Sequence, residues 1–459
     1  MRLMPAGGAS SLWHLAGPMI LSNISVALLG IVDTAVVGHL DQPWYLGGVA
    51  IGAMVFDFLY WGMGFLRMGT TGLSAQAHGR EAGSEMRTVL GQGLVLAGAI
   101  AVLILLLQQP VIDMALRLMQ GSVEVGQQAR LYFDLRIWGA PGVLAGMVLM
   151  GWSLGAHNAR IPLLTMLVIN VVNILLDLYL VIVLDLGVAG VALASVVAEY
   201  SGLLLGVWLV GRELARHAGH WQWPRILDLA DLRALLVLNR NIFIRTLCLI
   251  FVFAFFTREG ARQGDVILAA NAVLLNFQAL MALGLDGFAN ALEAMVGRAI
   301  GAADCQALRS GIASAGYWSL LTALLYMLLF GLGGEGLIGL MTDIDPVRAT
   351  ATTYLPWMVL SPAIAVWCFM LDGIFIGATR AVEMRNTMMI ATFGVYLPGW
   401  YLGQPLGNHG LWLAFMLFLA ARGVGLGLCY WRIQHRGGFI PVRVVDNVRT
   451  GHHSEIGES

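Results

Sequence analysis

The chain has 459 residues, 58% of them hydrophobic and only 12% charged, with a formal net charge of −1. Soluble domains carry about 25% charged residues, so a soluble fold is excluded, and without a basic face a nucleic-acid partner is excluded too. All 26 basic residues are arginine; with no lysine there is neither a P-loop for ATP hydrolysis nor Schiff-base chemistry, so any pumping draws on an ion gradient or a partner subunit.

In chain order, apolar runs long enough to cross a hydrocarbon core of about 30 Å fall at 16–38, 47–77, 88–108, 138–158, 161–183 and 188–210. Asn23 and Ser25 interrupt the first run and no cleavage signal follows it, so it reads as a span and not a secretion signal. The segment 109–137 is too polar to span and reads as a short interfacial helix. Residues 211–235, with Arg212, Arg216, Arg225 and Arg233, form a polar cytoplasmic linker. Spans resume at 236–257, 266–297, 311–330, 355–378, 386–403 and 409–431, with 331–354 as a second interfacial helix. The tail 437–459 is polar and reads as disordered. Cys248, Cys305, Cys368 and Cys429 lack metal or redox spacing and read as small apolar residues.

The two halves repeat each other. Displaced by about 222 residues, Gly38 meets Gly260, Ala50 meets Ala272, Gly79 meets Gly301, Tyr132 meets Tyr354, and Gly155-Ala156 meets Gly377-Ala378. A period this long duplicates a whole lobe. The predicted fold is therefore an all-α polytopic membrane protein: twelve transmembrane helices in two six-helix lobes, residues 1–210 and 236–436. Six spans is an even number, so the lobes enter the membrane in the same sense and are related by a pseudo-two-fold along the membrane normal. With the N-terminus inside, 17 arginines fall on the inner side and six outside (117, 130, 136, 258, 262 and 348); three lie within spans (67, 245 and 422). That bias places both termini in the cytoplasm.

Ionisable groups within spans are costly and mark function or pairing. Asp33 in span one, Asn173 and Asp177 one turn apart in span five, and Ser195 in span six all fall roughly 9 to 12 Å below the outer surface. Their oxygens suit a bound Na⁺ or a proton shared between acids, since burial and a like-charged neighbour both favour a protonated carboxylate. The alternative is that each hydrogen-bonds locally as structural glue. A second set, Arg245, Asp286, Glu293 and Asp372, lies in the inner half and reads first as a charge-compensating network, with Arg245 paired to Asp286 or Asp372. Cation or substrate contact is its second reading. Arg67 is expected to pair with Glu199. Large, soft side chains crowd span two (Met54, Phe56, Phe58, Tyr60, Trp61, Met63 and Phe65), and some can line a pathway for bulky apolar cations. His14, His39, His78 and His157 fall near span ends, where interfacial wetting accounts for them.

With these residues in place, the chain resembles the multidrug and toxic compound extrusion (MATE) family, in its DinF branch, over about residues 10–435. The resemblance rests on Pro18-Met19, Val32-Asp33-Thr34-Ala35, the run Leu66-Arg67-Met68-Gly69-Thr70-Thr71-Gly72-Leu73-Ser74-Ala75-Gln76, and Leu154-Gly155. It continues through Asn173 with Asp177, Leu285-Asp286-Gly287-Phe288, Asp372-Gly373 and Gly377-Ala378-Thr379-Arg380. It implies a monomeric exporter in the bacterial inner membrane that expels small organic cations or amphiphilic drugs in exchange for H⁺ or Na⁺, with no cofactor. It also implies that Asp33, Asn173, Asp177 and Ser195 form an N-lobe cation site, Ser195 standing where a relative has threonine. The related NorM branch uses an acid in span seven; here Arg245 occupies that helix, which shifts the expected coupling to the first half.

Two other functions compete with a proton-coupled antiporter. A flippase for a lipid-linked or amphiphilic substrate shares this architecture, but would line its cavity with several basic residues. A membrane-embedded enzyme would need a catalytic constellation at a membrane face, and the sequence offers no Asp-rich pair, His pair or nucleophile elbow.

Overall fold

The computed structural model describes residues 6–38, 43–119 and 122–440, with the side chains of 6–9, 27, 29–38, 43 and 119 outside that description. Only helices and closed barrels satisfy every backbone polar group inside hydrocarbon, and the described residues are helical almost throughout, without a strand. In the first half these helices are α1 (Ala6–Gly38), α2 (Pro43–Gly62), α3 (Phe65–Gly79), α4 (Gly83–Leu106), α5 (Gln108–Met119), α6 (Val123–Arg136), α7 (Ala140–Gly155), α8 (Arg160–Asp177) and α9 (Gly187–Leu214). A single turn, α10 (Trp223–Ile226), follows. The second half has α11 (Leu229–Arg262), α12 (Asp265–Gly301), α13 (Cys305–Met341), α14 (Asp345–Gly377), α15 (Ala381–Met389), α16 (Leu397–Gly403) and α17 (Asn408–His435).

Among the described residues, ten helical runs are long and apolar enough to cross a bilayer. Helix α1 and the run Ala381–Gly403 complete twelve, six in each half. Span two is broken where Gly62 and Gly64 flank Met63, so α2 and α3 meet at a kink. Both fifth spans carry a π-helical stretch, Leu178–Val183 after α8 and Ile390–Tyr396 after α15.

Three sequence expectations change. Residues 123–137 are not a separate interfacial helix: α6 continues through a 3-10 turn at Ile137–Gly139 into α7, making one span from Val123 to Gly155. Arg136 therefore lies inside a span and not in an outer loop. The expected interfacial helix at 331–354 is likewise absent, because α13 and α14 run on, broken only at Thr342–Ile344. At 37 residues α13 is about 55 Å long, so its polar end projects beyond the hydrocarbon while staying helical. Finally, the tail begins with packed residues: Phe439 and Ile440 are buried, Phe439 edge-on to Phe375. Residues 441–459 lie outside the described residues.

Each lobe has its own apolar core, around Phe133, Leu144 and Trp152 in the first and Phe256, Phe277, Trp412 and Phe415 in the second. A third cluster joins them, running from Leu12 and Leu15 on α1 to Phe288 and Leu292 on α12. Where α3 meets α12 the backbones touch. A Cβ on Gly79 would stand 2.1 Å from the Arg298 carbonyl oxygen, and one on Gly301 would stand 2.1 Å from that of Gln76. These two glycines, partners in the sequence repeat, let the lobes close on each other at that end.

His78, at the end of α3, stacks on His157 at 5.4 Å and meets His217 edge-on at 5.3 Å. Packing among neighbours, more than interfacial wetting, accounts for His157. Burial, then the nearby Arg298 guanidinium and His78, push its imidazole down to about 3 from the usual 6.5. The folded value lies below the unfolded one, so neutral His157 stabilises the fold fully above about pH 6.5, and that contribution is lost as the pH falls toward 3. His157→Gln is therefore expected to make the acid limb of the thermal midpoint against pH shallower below 6.5. An unchanged limb would show that another group governs it.

Candidate functional site

Two polar clusters sit inside the apolar scaffold. The first is built by α8 and α9, which pack on each other, with α1 against α8. Asn173 and Asp177 lie one turn apart on α8, so they share a face, and both are buried, Asp177 completely. Asn173 donates from Nδ2 to Ser195 Oγ on α9 at 3.3 Å. One turn earlier on α8, Asn170 hydrogen-bonds to Ser25 on α1. The structure thus brings Asn173, Asp177 and Ser195 into one buried polar patch. Asp33 lies on α1, the helix packed against that patch, and its side chain is outside the described residues. The π-helical stretch begins directly after Asp177; such stretches recur at functional sites because they re-aim the side chains around them.

The second cluster lines a cavity of about 400 Å³ between the lobes. Trp61, Arg67 and Met68 contribute from the first lobe; Arg245, Phe253, Asp286, Glu293, Asp372, Phe415 and Arg422 contribute from the second. Of the large side chains crowding span two, Trp61 reaches this cavity. Arg245 and Arg422 both donate to Asp372 Oδ2, Arg422 at 2.9 Å, so the expected pairing of Arg245 with Asp372 is present and has a third member. Arg422 also lies over the Phe418 ring, 5.5 Å from its centroid. Asp286 makes no hydrogen bond or ion pair with any described residue, and its side chain is open to the cavity.

Arg67 pairs with Glu293, not with Glu199. Its Nη1 and Nη2 reach Glu293 Oε2 and Oε1 at 3.1 and 3.4 Å, a fork-on-fork contact that links the lobes through α3 and α12. Arg67 lies on α3, which packs on α12, while Glu199 is held by Arg136 at 2.8 Å. Glu293 is nearly inaccessible and Arg67 about a fifth exposed, so removing the acid strands a largely buried cation. Glu293→Gln is expected to destabilise the fold by about 2 kcal/mol, read as a lower unfolding midpoint in detergent; an unchanged midpoint would deny this pair its bridging role.

Sequence reasoning left Arg422 out of the charge network. Its depth was the available signal: it lies halfway along the last span. The partner could not be read, because Asp372 is distant in sequence and reaches Arg422 only through the packing of α14 on α17.

The MatE family profile matches residues 18–179 and again 242–402, one match per lobe. Over 429 residues the chain is 46% identical to DNA damage-inducible protein F of Escherichia coli K12, covering 93% of each protein. It is 28% identical to a probable multidrug resistance protein NorM of Caulobacter vibrioides, covering 89% of each. Among solved structures, a variant of the Vibrio cholerae MATE transporter VcmN superposes with a TM-score of 0.84 at 21% identity, over 95% of this chain and 98% of that one. A transporter of Pyrococcus furiosus, described as having a binding pocket of reverse polarity, also gives 0.84, at 19% identity over 94% and 99%.

Proposed function

The chain belongs to the MatE family of multi-pass membrane transporters, and from that premise we propose that it is a secondary active exporter. It expels organic cations or amphiphilic drugs while H⁺ moves inward, with Na⁺ as the alternative coupling ion. The observation that carries this reading is a polar-and-aromatic cavity between two duplicated lobes, with a separate buried polar patch of Asp177, Asn173 and Ser195 in the first lobe. Aromatic faces attract cations, and Asp286, which has no ion pair among the described residues, supplies a counter-charge for a substrate's cationic group. Asp33, Asn173, Asp177 and Ser195 form the coupling site. A carboxylate that loads a proton on one side and releases it on the other changes charge as the pathway changes face, and that change biases the equilibrium between the two faces.

Both termini face the cytoplasm on the arginine bias, and the protein acts as a monomer in the bacterial inner membrane. Loaded vesicles test the reading: export of a fluorescent organic cation is followed under a pH gradient alone and under a Na⁺ gradient alone. Export driven by the pH gradient is expected. Export that needs only Na⁺ would overturn the coupling ion, and export under neither gradient would overturn secondary transport.

A further inference from the structure

The interlobe cavity collects all three arginines that the sequence places within spans: Arg67, Arg245 and Arg422. Arg67 is matched one-to-one by Glu293. The other two are not matched in this way, because both guanidiniums converge on a single oxygen, Asp372 Oδ2. Asp286 stands within electrostatic reach of both and balances the charge of the cavity, but as a hydrogen-bond acceptor among the described residues the two guanidiniums share Asp372, in side chains only 8% and 9% exposed. Buried cations ordinarily carry a full complement of partners. Here each guanidinium uses one Nη2 group on Asp372, and the Nε–H of both Arg245 and Arg422 is buried without an acceptor among the described residues. Two forks of N–H donors thus face one carboxylate that satisfies a small part of them.

We propose that Arg245 and Arg422 form an anion-receiving subsite in this cavity, which takes the carboxylate or phosphate-type headgroup of an amphiphile whose apolar body lies along Phe253, Phe415 and Phe418. An anion with two or three oxygens can accept from the Nη groups of this pair that line the cavity and that Asp372 leaves over, and charge-assisted bonds of this forked kind are the stronger ones. Asp286 lines the same cavity, so the site can hold a cationic group at Asp286 and an anionic group at the arginine pair. Zwitterionic and anionic amphiphiles thereby join the cationic substrates. The inference rests on the cavity's being the substrate pathway, as proposed above, but its test is an equilibrium one that needs no gradient.

Purified protein in phosphatidylcholine nanodiscs is titrated with a dansylated fatty acid and with its methyl ester, with the signal of empty nanodiscs subtracted. The acid is expected to bind about tenfold more tightly than the ester. Arg422→Gln should erase that preference, and Arg422→Lys, which keeps the charge but loses the fork, should keep part of it. Asp372 retains Arg245 in both variants, and elution as a single species by size exclusion checks folding. If Arg422→Gln does not fold, the size of the Arg422→Lys preference decides. Replacing part of the phosphatidylcholine with phosphatidylglycerol separates the two sources of anion: competition with the acid identifies a lipid headgroup as the occupant, and no competition identifies a soluble amphiphile. Equal affinity for acid and ester in the wild type, or an unchanged preference in both Arg422 variants, would overturn the subsite. Neither result would touch the vesicle experiment on coupling, and a failed gradient experiment would leave the acid–ester ratio intact.

Discussion

Asp177→Asn is expected to abolish export driven by a pH gradient while leaving a folded protein in the membrane. Asparagine keeps the size and one acceptor of the side chain but cannot exchange a proton, so the step that ties ion movement to the change of face is lost. Coupling free energies of about 1–3 kcal/mol separate a driven carrier from an idle one, and losing that term leaves uptake and export balanced. Asp33→Asn should have the same outcome, since the proposed site needs both acids. Asp177 is wholly buried beside the Asn173–Ser195 hydrogen bond, so the substitution should not open a cavity, and the amount of protein recovered serves as the control. Ser195→Ala should weaken export less, because it removes one neutral oxygen and no charge. Wild-type export in Asp177→Asn, at equal protein level, would remove the N-lobe site from the mechanism.

The second large effect is on stability. Asp372→Ala should cost about 3–5 kcal/mol and sharply lower the yield of folded protein, because it leaves Arg245 and Arg422 close together, buried and without the carboxylate that both hydrogen-bond. Arg245→Ala alone should be milder, since Arg422 remains on Asp372 at 2.9 Å. Replacing all three with apolar residues of similar volume should recover much of the yield, as buried charge clusters are often no more stable than a well-packed apolar substitute. The measurement is folded yield and unfolding midpoint for the single, double and triple variants. A wild-type yield for Asp372→Ala would mean that the two guanidiniums find solvent or other partners, and the charge account of this wall would fall.

The twelve-span, two-lobe plan was legible because the apolar runs are long and because markers such as Gly79 and Gly301 repeat at one spacing. Those same two glycines are where the lobes touch. Helix ends were less legible. Polarity along the chain marks where hydrocarbon stops, and in α13 and α14 the helix does not stop there, so 331–354 looked like a separate element. The same error placed Arg136 in a loop when α6 carries it into the membrane toward Glu199. Sequence depth put Asn173 at the level of Ser195, with which it hydrogen-bonds, and left Arg245 to Asp286 or Asp372, of which the structure pairs it with Asp372. It mispaired Arg67, since depth says nothing of azimuth: α3 packs on α12, and that residue reaches across the lobe boundary to Glu293. Asp286 was recognisable as costly, but only the packed structure separates it from its neighbours as the acid without an ion pair among the described residues.

Under the proposed mechanism, acids in the first lobe exchange a proton as substrate is handled. Its most direct test is the change in proton binding when a saturating lipophilic cation is added to purified protein in weak buffer, followed with a pH-indicator dye. Proton release is expected from the wild type, and none from Asp33→Asn or Asp177→Asn. Equal release from wild type and both variants would contradict it, as would a wild type that binds the cation and releases no proton.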